Sequence, residues 1–356
     1  MTAARVLAEW SEAGMRYALV GDGDAAELRI IGDADPAPAA ADPLQDAATL
    51  RVSGPIRPGA GPLELRFSTS GGQVAAAAVV AGWAHRDVRS LMRGRTSADA
   101  ARYAARVAGE ATVAHATAFA RAAEAASGAS APPRAVAWRD FLGGVERLCG
   151  HLSTLGAVAD VAGSPTLRTR LARHEEQAMR LMAAATGSRI GIDVVVPGGL
   201  ASAPNVVPEP VARLASDLER PQWPAAFTGM VRAITGRAIV VDEQSGDAAQ
   251  RVGRLVAQCG TEARDLARQV AELADAGPIA VPLPPATGEA LGHARGPHGM
   301  VWHWLRLDAG VVAGVFMADP TIGTLARLAA ALPGQPVEDV PLLLASLPLS
   351  IGGVDL

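Results

Sequence analysis

The stretch PRAVAWRDFLGGVERLCGHLSTL, residues 133–155, decides the fold. Its large apolar residues recur at spacings of three and four, as on one face of a helix. They are Trp138, Phe141, Val145, Leu148, Leu152 and Leu155. Pro133 suits the first turn of a helix, where no amide hydrogen is needed. The sequence therefore predicts a helix from Pro133 to about Ala162 with this stripe buried in the core.

Two more long helices are predicted further along the chain. One covers residues 167–186 and is ended by Gly187, and the other covers residues 247–274 and ends near Gly277. Three long apolar-faced helices favour a long-helix bundle.

Strand signals surround this bundle. A hairpin is predicted from residues 63–68 and 73–80, and three strands are predicted at residues 289–295, 301–307 and 311–317. Near the start, residues 4–13 suggest a short helix, followed by strands at 17–20 and 27–31. The expected fold class is α+β, mainly α, with small antiparallel sheets.

Residues 32–46 are rich in Ala, Pro and Asp without periodicity, and they are interpreted as a linker. The predicted organisation is a small N-terminal αβ segment with its linker, residues 1–46, and one large domain, residues 47–356.

Composition excludes several classes of function. The 356 residues are 49% hydrophobic and carry a formal net charge of -4, so nothing favours a nucleic-acid partner. The sequence contains 32 arginines and no lysine. Without lysine, the phosphate-binding P-loop, the pyridoxal phosphate enzymes and the protein kinases are excluded.

Metal and nucleotide motifs are also weak. Cys149 and Cys259 lie outside any CxxC pair, so zinc and chain-bound iron-sulfur clusters lack ligands, and both thiols are expected in the core. His293, His298 and His303 are spaced by five, which fits no helical metal pair.

The stretch from Gly21 to Ala26 has the spacing of a dinucleotide-binding loop, but a strand follows it, which favours a hairpin turn.

No leader peptide is recognised at the start of the sequence, and no apolar stretch reaches the ~18 residues of a membrane-spanning helix. We expect a cytoplasmic protein, peripheral on the inner face of a membrane if it is membrane-associated.

Local motifs, taken in order, resemble those of one superfamily: the large subunits of energy-converting nickel-iron hydrogenases and the D subunit of NADH:quinone oxidoreductase. The resemblance runs from Gly54 to Leu356. The motifs that carry it are Gly82-Trp-Ala-His85-Arg86, Arg106-Val-Ala108-Gly109-Glu-Ala111, Val113-Ala-His115, Pro132-Pro-Arg-Ala135 with Glu146-Arg147 and His151-Leu152, Asp160, Val196-Pro-Gly-Gly199, Gly288-Glu-Ala290 to Gly299, and Ser346 to Leu356.

The resemblance implies a hydrogenase large-subunit-like fold, but the ligands of the metal centre are missing. The four positions that carry thiolates in the hydrogenases are Ala108, Ala111, Ser350 and Gly353. Alanine and glycine offer no donor atom and serine is a poor one for nickel. His298 replaces the arginine that lies over the centre in that family.

The quinone site that the resemblance implies is altered as well. In the D subunit of the oxidoreductase this site uses a histidine, a tyrosine and an aspartate. The histidine falls here at Ala60, with Arg57 nearby, and the tyrosine falls at Val107. The aspartate remains as Asp160. Loss of both hydrogen-bond donors argues against ordinary quinone reduction.

Four further polar residues allow two interpretations. His85, Arg86, Glu146 and His151 could form a residual proton path or pocket, or they could make structural hydrogen bonds, which we favour. His115 is interpreted as a satisfied core histidine.

The leading hypothesis is a scaffold subunit of a membrane-associated redox complex that binds no cofactor itself. The resemblance implies an iron-sulfur small subunit and membrane-arm subunits as partners in a hetero-oligomer, with quinone or NAD and iron-sulfur clusters at the level of the complex. Two alternatives remain. The first is an active oxidoreductase subunit that binds quinone or another small acceptor between the Gly54 hairpin, Val107, Asp160 and the C-terminus. The second is a free-standing assembly factor. Residues 1–31 could be a remnant of a fused partner domain.

Overall fold

The fold is centred on the helix α4, Pro133–Val161, in the computed structural model of the chain. The structure describes residues 5–12, 15–21, 26–33, 50–55, 62–80, 82, 85–238, 246–273 and 276–354. α4 begins with Pro133 in its first turn, and all six residues of the predicted apolar stripe are buried. The predicted helix and its buried face are therefore confirmed.

Two long helices pack against α4. α5, Pro165–Thr186, ends at Gly187, whose φ of 78° is the left-handed conformation that favours glycine at a helix end. α9, Ala248–Glu272, begins with a capping box in which Asp247 and Gln250 bond each other's backbone amides. The predicted long-helix bundle is confirmed.

Shorter helices complete the α part of the fold. They are α1 Val88–Met92, α2 Ser97–Ala104, α3 Thr112–Ala126, α6 Pro208–Glu219, α7 Gln222–Ala225, α8 Thr228–Ile234, α10 Thr321–Ala331 and α11 Val340–Ser346, with single 3₁₀ turns at Val337–Asp339 and Ile351–Gly353. None of the helices in the described part of the chain combines the length and apolarity needed to cross a membrane.

A three-stranded antiparallel sheet packs on α3. It consists of β9 Gly288–Gly296, β10 Gly299–Asp308 and β11 Val311–Ala318, in the order β11-β10-β9. At Gly292 a Cβ would overlap the backbone of α3 at Ala118 and Ala122. Glycine at this position is what lets the helix backbone approach the strand so closely. The three predicted strands are confirmed.

A second three-stranded sheet contains the predicted hairpin. β5, Pro62–Ser70, and β6, Gln73–Val80, are joined at Gly71 and Gly72, which have φ of 59° and 81°. A third strand, β4 Leu50–Pro55, pairs with β5 and was not predicted. A two-stranded ribbon is formed by β7 Val195–Val196 and β8 Gly199–Leu200.

The N-terminal segment differs from the prediction. The expected helix at residues 4–13 is wrong: Arg5–Glu12 is a strand, β1, paired with β2 Met15–Gly21, which in turn pairs with β3 Ala26–Asp33. Pairing with β2 supplies β1 with backbone hydrogen bonds, and such pairing outweighs the modest helix propensity of its residues.

The N-terminal sheet lies against the C-terminal one. Tyr17 and Leu19 share a buried cluster with Trp302 and Trp304, and the Tyr17 and Trp304 rings are 5.1 Å apart. The turn at residues 22–25 and most of the expected linker lie outside the described residues.

Candidate functional site

The four positions that resemble thiolate positions come from two distant parts of the chain. Ala108 and Ala111 precede α3, whereas Ser350 and Gly353 lie at the C-terminal 3₁₀ turn. A Cβ added at Gly352 would lie against the Val107 carbonyl and 3.5 Å from the Ala108 Cα. The fold therefore brings the two motifs into contact.

Arg86 joins these two motifs. Its guanidinium donates to the carbonyl oxygens of Arg106 at 2.8 Å, Val107 at 2.6 Å and Gly352 at 3.4 Å. Arg86 thus fixes the C-terminal turn against the loop before α3.

A chain of buried polar groups lies beside Gly353. His303 Nε2 is 3.0 Å from His115 Nδ1, and His115 Nε2 is 3.3 Å from Asp319 Oδ2. Asp319 Oδ1 accepts from the Thr321 amide at 2.8 Å, and Thr321 Oγ1 accepts from the Ser350 amide at 2.9 Å. These five residues form what we call the His–Asp chain, and all of them are buried.

Asp319 also occupies the space next to Gly353. A Cβ at residue 353 would overlap Oδ2 of Asp319, so the fold has no room there for a side chain of any kind while the carboxylate keeps its place. The donor set and this packing do not fit a four-thiolate nickel-iron centre. Within the described part of the chain, no group of three or more His, Cys, Asp or Glu side chains is arranged to hold a metal ion.

The protonation of the His–Asp chain follows from its surroundings. Burial alone would raise the pKa of Asp319, but the hydrogen bond and charge of His115, with the bonds from Thr321, hold that pKa below its usual value. Burial and the charge of His115 hold the pKa of His303 well below its usual value. At neutral pH Asp319 is therefore an acceptor only, and His115 Nε2–H must donate to it.

His303 is the neutral end of this chain. Its Nδ1 has no hydrogen-bond partner among the described residues, whereas both ring nitrogens of His115 are engaged. His115 is therefore a satisfied core histidine, as interpreted from the sequence. The His–Asp chain can hold one carboxylate charge in the core, because its hydrogen bonds compensate the free-energy cost of burying that charge.

His298 lies where the β9–β10 turn meets the loop before α3. Its Nε2 is 3.5 Å from Oε2 of Glu110, and both side chains are largely buried. The position that resembles the arginine of the hydrogenase loop is thus placed against the motif Arg106 to Ala111.

Glu146 has a structural partner in α3. Its two carboxylate oxygens accept from the Val113 and Ala114 amides at 2.6 and 2.9 Å, at the N-terminus of that helix. Burial raises the pKa of Glu146 to about 8 even though these amides favour the charged form. Such a contact satisfies helix amides that have no partner within the helix.

The remaining predicted residues do not join the His–Asp chain. Asp160 lies in the last turn of α4, where its side chain is 59% exposed and accepts from Arg168 Nε at 3.0 Å. His85 is exposed, and Val107 is buried. Ala60 and Arg57 lie outside the described residues.

Sequence reasoning missed Asp319. Its position two residues before Thr321, at the start of α10, is typical of an aspartate that accepts from a nearby backbone amide, and this was the available signal. That this carboxylate also reaches His115 and Gly353 depends on tertiary packing and has no local signature.

Comparison with known proteins supports the resemblance in sequence and in fold. No family model matches the chain. The D subunit of the NADH-quinone oxidoreductase of Saccharopolyspora erythraea is 32% identical over 149 residues, which are 42% of this chain. The match spans about a third (33%) of the length of that relative.

The likeness in fold covers more of the molecule. A chain from the membrane-bound sulfane sulfur reductase, an archaeal respiratory membrane complex, superposes with a TM-score of 0.72 over 88% of this chain and 100% of that one, at 18% identity. This likeness shows the fold. Taken together, the two matches confirm that the chain resembles the superfamily indicated by its motifs, that of the oxidoreductase D subunit and the nickel-iron hydrogenase large subunits.

Proposed function

We propose that the chain is a subunit of a membrane-associated redox complex in which it acts as a scaffold without a nickel-iron centre of its own. The observation that carries the proposal is the Asp319 carboxylate, which fills the space beside Gly353 where a ligand side chain would have to start. The sequence match to the D subunit of an oxidoreductase and the fold match to a respiratory membrane complex support its place in a complex.

The scaffold role is supported by what the site's polar groups do. Arg86 bonds backbone carbonyls, Glu146 bonds the amides of α3, and Asp319 bonds His115 and Thr321. Each of these charged groups is used to hold one segment of the chain against another, and such a network specifies a rigid core. Electrons and any quinone or NAD would then be handled by other subunits, including an iron-sulfur subunit.

Purification from native membranes tests the proposal. We expect the tagged chain, extracted with a mild detergent, to co-purify with membrane proteins and with an iron-sulfur protein. The paramagnetic signals of the iron-sulfur clusters should be present in the complex and absent from the isolated chain. Elemental analysis of the isolated chain should show no stoichiometric nickel.

Two outcomes would contradict it. About one nickel per isolated chain would show that a centre assembles despite the missing thiolates. A chain found only as a monomer in the soluble fraction would favour the free-standing assembly factor.

A further inference from the structure

Positive charge is concentrated in the segment from His85 to Arg106, which contains α1, α2 and the loop between them. The segment carries six arginines and two carboxylates, Asp87 and Asp99, so its formal charge is +4, six minus two. The formal net charge of the whole chain is -4, so the rest of the chain carries -8. One short part of an acidic protein is therefore basic. We call it the basic segment.

Contacts hold the arginines of the basic segment close together. Arg95 donates to the Leu91 carbonyl at 2.7 Å, and its guanidinium lies 5.0 Å from the centre of the Tyr103 ring, so it joins the end of α1 to α2. Arg106 donates to the Arg102 carbonyl at 2.7 Å, one turn back along the chain. Arg95, Arg102 and Arg106 are all exposed, and their charges share one surface.

The charge of the basic segment does not depend on every arginine. Arg106 makes a two-point contact with Asp193, at 2.5 and 2.7 Å, and both Arg106 and Arg93 can be left out of the count. The other four form no salt bridge within the described part of the chain, and they outnumber the two carboxylates by two, four minus two. They are Arg86, Arg89, Arg95 and Arg102.

Exposed apolar side chains accompany this charge. Leu91, near the end of α1, is 44% exposed, and Val311, the first residue of β11, is 36% exposed. The loop after α1 is fixed beside β11, because the Gly94 amide donates to the Val312 carbonyl at 2.9 Å and the Val312 amide donates to the Arg95 carbonyl at 2.8 Å. Leu91 and Val311 therefore come from adjoining segments of a surface that is held in place by backbone hydrogen bonds.

We propose that the basic segment docks on an anionic lipid surface, with its arginines at the lipid phosphates and Leu91 at the boundary between head groups and acyl chains. Guanidinium groups suit phosphates because each presents a planar fork of donors that matches the phosphate oxygens. Exposed apolar side chains among basic residues favour a lipid surface, because apolar burial and attraction to anionic lipids add to each other.

The inference rests on the proposed function in one respect: a membrane complex would hold the chain near a bilayer. Its test uses the isolated full chain, so lipid binding can fail while co-purification from native membranes succeeds. The two proposals are thus refuted by different results.

Sedimentation of the isolated chain with lipid vesicles is the test. We expect binding to vesicles that contain phosphatidylglycerol, much weaker binding to vesicles of phosphatidylcholine alone, and a loss of binding as salt is added, because salt screens exposed charges. Arg102→Gln removes one charge and should weaken binding about fivefold. Leu91→Ser removes apolar contact with the lipid and should weaken binding by about fivefold or more.

Two substitutions outside the basic segment are the matched controls. Arg170→Gln removes an exposed arginine of α5, and Val161→Ser removes an apolar side chain that is 44% exposed, as Leu91 is. Neither control should change vesicle binding. Equal melting temperatures of all four variants would establish that lost binding is not lost structure.

Three results would overturn the proposal. The first is no binding to vesicles that contain phosphatidylglycerol, and the second is equal weakening by the substitutions and their controls. The third is binding of an acidic protein through Arg102 and Leu91 by a chain that does not bind vesicles, which would make the basic segment a protein interface.

Discussion

The Asp319 carboxylate lies where the Cβ of residue 353 would be if Gly353 carried a side chain. Asp319 is held there by His115 and Thr321, so the carboxylate cannot move aside without breaking buried hydrogen bonds. Glycine at residue 353 and aspartate at residue 319 are thus mutually dependent features of one packed core.

Gly353→Ala should therefore destabilise the protein. The added methyl group would overlap Oδ2 of Asp319, and overpacking of this kind costs typically about 1 to 3 kcal/mol. Urea unfolding followed by circular dichroism measures the loss. Gly353 is not in the left-handed region, so backbone strain does not enter.

A glycine from the same site provides the control. A Cβ at Gly109 would meet no heavy atom within 4 Å, so we expect Gly109→Ala to change the free energy of unfolding by less than about 0.5 kcal/mol. Equal effects of the two substitutions would mean that Asp319 does not occupy the space beside residue 353.

Asp319→Asn tests the charge in the His–Asp chain. The amide keeps the shape of the side chain but removes the negative charge that accepts from His115, and a buried hydrogen bond to a charged group contributes roughly 1.5 to 3 kcal/mol. The free energy of unfolding should fall by an amount in this range at neutral pH. An unchanged stability would show that the carboxylate is protonated in the folded protein.

Glu146 should make stability depend on pH. Its folded pKa, raised to about 8 by burial, lies above the 4.5 of the unconstrained carboxyl, so the folded state binds more protons than the unfolded state between these values. The free energy of unfolding contributed by this group is therefore fully present below about pH 4.5 and falls as the pH rises towards 8.

Comparing wild type with Glu146→Gln isolates that contribution. Four histidines have lowered pKa values, namely His151, His174, His293 and His303, and they raise stability as the pH rises through 6.5. This contribution is common to wild type and variant, so it cancels in the difference between their free energies of unfolding. We expect that difference, wild type minus Glu146→Gln, to fall as the pH rises from 6.5 to 8. Parallel stability profiles of the two proteins over this range would contradict the raised pKa.

The long helices could be predicted from the sequence because each carries its own signal. In α4 the apolar stripe and Pro133 are local features, and in α9 the capping pair Asp247 and Gln250 marks the first turn. β1 could not be recognised from its own residues, because its pairing with β2 and the packing of Leu7 and Ala8 against the cluster of Trp302 and Trp304 are tertiary contacts.

The candidate site was predictable only in part. The missing thiolates follow directly from the residue types at Ala108 and Gly353. That the carboxylate of Asp319 fills the space beside Gly353 depends on tertiary packing and could not be predicted. Asp160 illustrates the opposite case. The sequence singled it out, and the structure places it in an exposed pair with Arg168.

Asp160→Asn should consequently have little effect. The Asp160 side chain is 59% exposed and that of Arg168 is 31% exposed, and exposed ion pairs contribute roughly 0 to 1 kcal/mol because water screens them. We expect a loss of stability within that range, well below that of Asp319→Asn, and no change in the affinity of the chain for a short-chain quinone. Thermal unfolding and quinone titration on the same preparation measure both quantities. Weakened quinone binding at unchanged stability would instead place Asp160 at an acceptor site and favour an active oxidoreductase subunit over the scaffold.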